Sequence, residues 1–282
     1  MIDSYIPYYS MSATLLHDDS GSMLSTILTE AAEPLYIVNP SRGTISDLVS
    51  TLQAVEDAPT VRVLADERAL KDVMDDFLVA STAADLIEAD LLSLRVLADV
   101  PNHSIAVTPE AVHAIVEIDD SASGLGTDDE GFVEQAYDQY STEWSDAEAY
   151  SLRTPPLSRV QSTLESDIGP ETATDFDSVL NSLTTARGDG DGLDEVTISL
   201  LVAARNGELL YDISKWGEDI GLASKATFSR TKTKLEDMGL IDTEKVPIDV
   251  GRPRLRLLLG DERLEDADAD ELATVAQSIL AA

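Results

Sequence analysis

Residues 210–239, LYDISKWGEDIGLASKATFSRTKTKLEDMG, carry two helices joined by a tight turn. Asp212 can cap the first, with Ile213, Trp216 and Ile220 facing inward and Gly221 as its stop. Ser224 caps the second, which runs from Lys225 to Met238 and ends at Gly239. Phe228, Leu235 and Met238 fall on one side at helical spacing, while Lys225, Thr227, Arg230, Thr231 and Lys234 spread over the others. A short helix followed by a polar, basic one is the arrangement that lays its second helix in the major groove of DNA.

Working outward, Asp194 and Glu195 open an upstream helix at the positive end of its dipole. Val196, Leu200, Leu201 and Ala204 give that helix one apolar stripe, and Asn206-Gly207 ends it. Downstream, a strand at 242–246, a turn at 247–251 and a return at 252–259 make a hairpin. Arg252, Arg254 and Arg256 alternate there with Pro253, Leu255 and Leu257, so the arginines share one face. Three helices and a basic hairpin within 193–259 predict a winged helix-turn-helix whose wing touches backbone or minor groove. The expected DNA contacts are Ser224, Lys225, Thr227, Arg230, Thr231, Lys234, Arg252 and Arg254. Arg230 suits guanine O6/N7, and the lysines and threonines fix phosphates. Lys232 stands where many such helices place a leucine.

Charge supports the same segment. The 282-residue chain has 54 Asp+Glu against 19 Lys+Arg, a formal charge of −35. Five of its six lysines lie within 215–245, and residues 222–256 hold eight basic to five acidic groups. An acidic chain that spares one segment points to a polyanionic partner there. With 43% hydrophobic residues the chain can bury real cores. An acidic, lysine-poor, foldable chain suits a cytoplasm at molar salt, where the Debye length shrinks to a few Å. A salt-adapted protein from a halophile is expected. There is no cysteine, which excludes disulfides and thiolate chemistry. No charged leader precedes Arg42, and no apolar run approaches the ~20 residues that span a bilayer, so a cytoplasmic protein without membrane contact is expected.

Before this module the pattern is different. Residues 1–18 read as a tail, with Met11 as an alternative start, followed by a helix at 22–32. Strands at 35–39, 61–64 and 92–97 alternate with helices at 44–55, 67–80 and 83–89. A strand pair at 104–107 and 113–118 follows. Alternation of this kind predicts a mostly parallel α/β sheet with covered faces and an antiparallel addition. The expected division is a tail at 1–18, an α/β sensor or dimerisation domain at 19–150, a helical connector at 151–190, the winged helix at 191–260 and a C-terminal helix at 261–282. Helices are expected at 132–140, 158–166 and 174–186, with the linker GDGDG at 188–192. Leu272, Val275, Ala276, Ile279 and Leu280 form a last apolar stripe, for dimerisation or for packing on its own domain.

Ligands of such sheets sit beyond the carboxyl ends of the strands. Asn39, Ser41 and Arg42 follow the first strand, and Asp66 and Arg68 follow the second. They are candidates for binding a small anionic metabolite; the simpler alternative is a helix-capping turn. Enzyme readings lack support. His17, His103 and His113 are scattered, and no phosphate-binding loop or nucleophile elbow occurs. The segment 189–194 resembles a calcium loop only briefly, with Leu193 and Leu200 at ligand positions. No cofactor or metal is expected. A homodimer or higher oligomer would place two recognition helices about one DNA turn apart. The alternative class is a winged-helix adaptor that binds protein rather than DNA.

Four stretches also carry a resemblance: LYIVNPSR (35–42), VRVLADERALKDVMDDFLVASTAADL (61–86), GDGLDEVTISLLVAARN (190–206) and 210–257. They resemble the TbsP transcription regulators of haloarchaea, from about residue 20 to the end. The resemblance implies a cytoplasmic regulator of gluconeogenic or glycolytic genes that responds to sugar supply and shares promoters with the regulator TrmB.

Overall fold

The computed structural model describes residues 15–18, 20–31, 34–118, 121–187, 192–247 and 253–281. It divides into two units, Met1–Val73 with Leu86–Ser151, and Met74–Asp85 with Leu152–Ala282.

The first unit is an α/β domain. In chain order it holds β1 (Leu15–Asp18), α1 (Ser20–Glu30), β2 (Leu35–Val38), α2 (Arg42–Ala54), β3 (Val61–Ala65) and α3 (Glu67–Val73). After α4 (Phe77–Glu88) come β4 (Leu92–Val96), β5 (Ser104–Val107), β6 (Val112–Ile118), β7 (Ser121–Thr127), α5 (Glu130–Asp146) and β8 (Glu148–Ala149). The strands form one sheet in the order β1-β7-β6-β5-β2-β3-β4-β8. Its β2-β3-β4 run is parallel, as alternating strands and helices require. The remaining pairings are antiparallel, a larger share than the single strand pair expected. All four residues of β2 are buried, so both faces of the sheet are covered there. On one face Tyr36, Val38, Ile105 and Val107 pack under Val133, Ala136, Tyr140 and Trp144 of α5.

Three strands that the pattern did not suggest account for the larger sheet: β1, β7 and the two-residue β8, which pairs with β4. Residues 15–18 fell in the expected tail but form the edge strand, pairing Leu15 with Leu125 and Asp18 with Ala122. Residues 121–127, SASGLGT, have the small and glycine residues that weaken strand propensity. Gly126 has a local cause. His113 lies opposite Gly126, and a Cβ on Gly126 would meet the imidazole at 2.6 Å.

Burial holds the His113 pKa below its ordinary value, with Glu30 opposing weakly. At pH well above the ordinary histidine value of about 6.5 the ring is neutral in both states, and its full contribution is present. As pH falls through that value the unfolded chain takes up the proton first, so stability declines until the folded ring also titrates. Between about pH 7.5 and 5.5 the wild type should therefore lose more of its urea midpoint than His113→Gln, both measured in molar KCl. Equal losses would assign the pH dependence to the carboxylates alone.

The second unit is helical with a small hairpin. To the start of α4 it adds α6 (Leu157–Asp167), α7 (Pro170–Ser182), α8 (Glu195–Arg205), α9 (Leu210–Asp219), α10 (Lys225–Asp237), β9 (Ile241–Val246), β10 (Arg254–Leu259), α11 (Glu262–Glu265) and α12 (Leu272–Leu280). The helix expected at 67–80 is broken before Phe77, and Asp76 is the reason. Its buried carboxylate accepts the backbone N–H of Leu78 at 3.0 Å and of Ala186 at 3.2 Å, and lies 3.5 Å from Arg187 Nε. Helix α7 begins at Pro170 rather than Thr174, since proline suits the first helical turn and the carbonyl of Gly169 accepts from Ala173 N.

One core joins the helices. Val160 and Leu164 of α6, Phe176 and Leu180 of α7, Ile198 and Leu201 of α8, Trp216, Phe228 and Leu235 all belong to it. The helices expected to be a connector thus share the core of the winged helix, and Trp216 Nε1 donates to Thr163 Oγ1 of α6 at 3.0 Å. Leu272, Ala273 and Ala276 of α12 are buried in the same core, and Val275, Ile279 and Leu280 pack against it. Of the two roles open to that last stripe, the helix takes the second and folds onto its own unit.

Candidate nucleic-acid interface

Helices α8, α9 and α10 and the hairpin β9–β10 stand in the order of a winged helix. The chain between α8 and α9 adds a third rung, a bridge from Leu209 to Arg256 of β10. Asp212 is not the cap of α9 as expected. The helix starts two residues earlier, at Leu210, and Asp212 lies in its first turn with its carboxylate turned to Arg254. Gly217 fixes the crossing with α10, because a Cβ there would sit 2.4 Å from the ring of the fully buried Phe228. Gly221 and Gly239 end the two helices at φ +81° and +74°, left-handed values that favour glycine.

Ser224 caps α10, its hydroxyl accepting from Thr227 N at 3.1 Å. With Phe228 and Leu235 directed to the core, the helical period turns Ala226, Ser229, Arg230, Thr233, Lys234 and Asp237 outward, and all six are exposed. Arg230 makes only two long contacts within the helix, to Ala226 O and Thr227 Oγ1 at 3.4 Å each. Neither Arg230 nor Lys234 has a carboxylate partner among the described residues.

The other expected contacts are placed differently. Lys225 Nζ lies 2.6 Å from Glu218 Oε2, a pairing that raises the lysine pKa and lowers that of the glutamate. Thr227 is engaged with the Ser224 cap, and Thr231 is half-buried. Arg254 stacks on the Tyr211 ring at 4.2 Å and contacts Asp212 at 3.1 Å, so it ties the wing to α9. Arg252, like residues 248–251, lies outside the described residues. Lys232 is almost enclosed, which its charge would resist alone. Glu236 compensates at 2.6 Å and also accepts from Thr243 Oγ1 of β9. Ala226, Ser229 and Thr233 also stand on this outward face, where the sequence reading did not place them; their signal was the period from Phe228 to Leu235, not their polarity.

In the first unit the residues after β2 are brought together but already engaged. Asn39 adopts φ +49° and donates from Nδ2 to Pro101 O at 2.7 Å. Ser41 caps α2 and donates to Glu117 Oε1 at 3.0 Å, a carboxylate that also accepts from Thr44. Arg42 pairs with Asp72 at 2.5 Å. Asp66 caps α3 through Arg68 N and Ala69 N, and the Arg68 side chain is exposed. An anion arriving at α2 would meet the carboxylates of Glu117 and Asp72 already in place. Among the described residues no helix is long and apolar enough to cross a membrane.

Comparison with known proteins adds to this geometry. No curated protein matches the chain. Among solved structures the chain is similar to TrmBL2, described as an archaeal chromatin protein with a novel mode of DNA binding. That likeness has 16% identity and a TM-score of 0.35, over 53% of this chain and 57% of that one. It is also similar to Nuc, a phospholipase D family member from Salmonella typhimurium (12% identity, TM-score 0.35, 49% of this chain and 97% of that one). NucT from Helicobacter pylori is alike to a similar degree (14%, TM-score 0.36, 50% and 100%). All three likenesses are loose. The family profiles are specific: residues 12–155 match the N-terminal domain of TbsP-like transcriptional regulators, and 156–277 match their C-terminal helix-turn-helix domain. The chain belongs to the TbsP-like family of transcriptional regulators, and α9 and α10 lie within the matched helix-turn-helix domain.

Proposed function

We propose that this DNA-binding transcription regulator reads a specific promoter sequence through the outward face of α10. The observation that carries the reading is the pair Arg230 and Lys234, exposed and free of carboxylate partners among the described residues, in a chain of net charge −35. Most nearby cations are paired with an acid; among the described residues Arg230, Lys234 and Lys245 of β9 are not. Arg230 has the planar fork that meets guanine O6 and N7, and Lys234 a point charge for phosphate. Lys225 would exchange Glu218 for a phosphate on docking. Arg254 supports the wing, and Arg252 is a DNA contact that the sequence alone suggests. At molar salt, counterion release contributes little, so base contacts and the avidity of a homodimer carry the affinity.

The regulated genes, on the resemblance to TbsP regulators, are those of gluconeogenesis and glycolysis, and the signal is sugar supply. The α/β unit receives that signal as a bound effector. The test is pull-down of the organism's own fragmented DNA by the purified full chain in molar KCl, followed by sequencing. Enrichment of a few promoters, genes of central carbon metabolism among them, is expected. Uniform recovery of all fragments would refute sequence-specific reading.

A further inference from the structure

Beside the strand ends, the α/β unit has a second concavity. Helix α5 and the antiparallel strands β5–β7 enclose a cleft of about 400 Å³. Ile105, Val112 and Leu125 form its sheet wall, and Phe132 and Ala136 its helix wall. Phe132 is 53% exposed and Leu125 47%, large apolar surfaces facing water. At one end His103 Nε2 and the Tyr140 hydroxyl lie 2.7 Å apart, and Gln135 and Gln139 add amide groups along the helix. A mostly apolar cleft with a few converging polar groups is the usual form of a small-molecule site.

The lining also says which chemistry fits. Charged residues make up 26% of the chain, yet none of the eleven lining residues is Asp, Glu, Lys or Arg. An anion would find no lysine or arginine there. Glu143, next to this end, acts electrostatically on both Tyr140 and His103 and brings negative rather than positive charge near it. The Tyr140 oxygen and the Gln135 and Gln139 amides can both donate and accept, which suits a neutral hydroxyl or carbonyl. The apolar walls suit a ring or compact hydrocarbon body.

We propose that this cleft, rather than the turn at Ser41 and Arg42, binds the effector, and that the effector is a neutral small molecule with an apolar body and a hydroxyl or carbonyl group. The proposal rests on the reading that the α/β unit receives the signal.

The probe is 2-naphthol, neutral at pH 7, with 2-naphthoate as an anion of the same shape and naphthalene as a body without the polar group. Binding to the full chain in molar KCl is followed by saturation-transfer NMR and fluorescence. Saturable binding of 2-naphthol, at least tenfold weaker binding of 2-naphthoate, and at least tenfold loss in Ala114→Phe, which fills the cleft, are expected. Because Ala114→Phe could disturb the sheet, Tyr140→Phe is the second variant: it should weaken 2-naphthol severalfold and leave naphthalene unchanged. Equal binding of the anion, or no response to either variant, would overturn the proposal. So would a dimer that Phe132→Glu splits while 2-naphthol binding is unaffected, which would make the cleft a subunit interface. Promoter pull-down run on the same variants separates the two readings. If 2-naphthol fails while promoters are still enriched, the cleft alone is rejected.

Discussion

Arg230→Ala should weaken binding to an enriched promoter by about 5- to 150-fold, the value of one bidentate guanine contact of about 1–3 kcal/mol. Binding to unrelated DNA should change far less, because non-specific affinity comes from phosphate contacts. Lys234→Ala should do the reverse. It should weaken all sequences alike and flatten the dependence of log affinity on log salt by about one ion. The contrast follows from position: both residues face outward from α10 without an acidic partner among the described residues, but Arg230 is one turn nearer the end that enters the groove. Titration of each variant against promoter and scrambled duplexes at several KCl concentrations measures both effects. Equal losses on the two duplexes for Arg230→Ala would remove it from base reading.

Phe228→Ala should destabilise the helical unit by about 3–5 kcal/mol, the range for a buried phenylalanine replaced by alanine. Its ring is fully buried, lies against Gly217, and belongs to the core shared by α6 through α10 and α12. Gly217 tests the same contact from the other side. Gly217→Ala gains about 1 kcal/mol in helix propensity but overpacks against the ring, a loss of about 1–3 kcal/mol. Alone it should destabilise the unit or leave it unchanged; in a Phe228→Leu background it should become stabilising, since the obstructing ring atoms are gone. Trp216 is a local reporter once Trp144, the only other tryptophan, is replaced by phenylalanine. Denaturant unfolding followed by Trp216 fluorescence in molar KCl gives the midpoints. Additive effects of Gly217→Ala and Phe228→Leu would show that the close approach is not what sets the crossing of α9 and α10.

The winged helix was legible because local and long-range signals coincide in it. Ser224 and Gly239 mark the ends of α10, the apolar period marks its buried side, and the hairpin alternates as a strand should. What the sequence hid was pairing. Nothing local says that Lys225 meets Glu218, that Arg254 meets Asp212 and Tyr211, or that Lys232 is compensated by Glu236. The resulting inventory of unpaired cations is shorter than composition suggested. In the α/β unit the parallel strands were clear from their apolar runs. β1 and β7 were not, because a four-residue edge strand and a glycine-containing strand owe their pairing to neighbours rather than to propensity. The turn after β2 looked like an anion site because Glu117, 76 residues from Ser41, could not be placed there from sequence.

Methylation interference at guanine N7 on an enriched promoter tests the reading of α10 most directly. Methylation fills the major-groove acceptor that Arg230 is assigned to contact. The wild type should be excluded by methylation at one or two guanines in each half-site, and Arg230→Ala should be indifferent to methylation at those positions. Interference confined to minor-groove adenine N3, or the same guanine pattern with both proteins, would contradict recognition by Arg230 in the major groove.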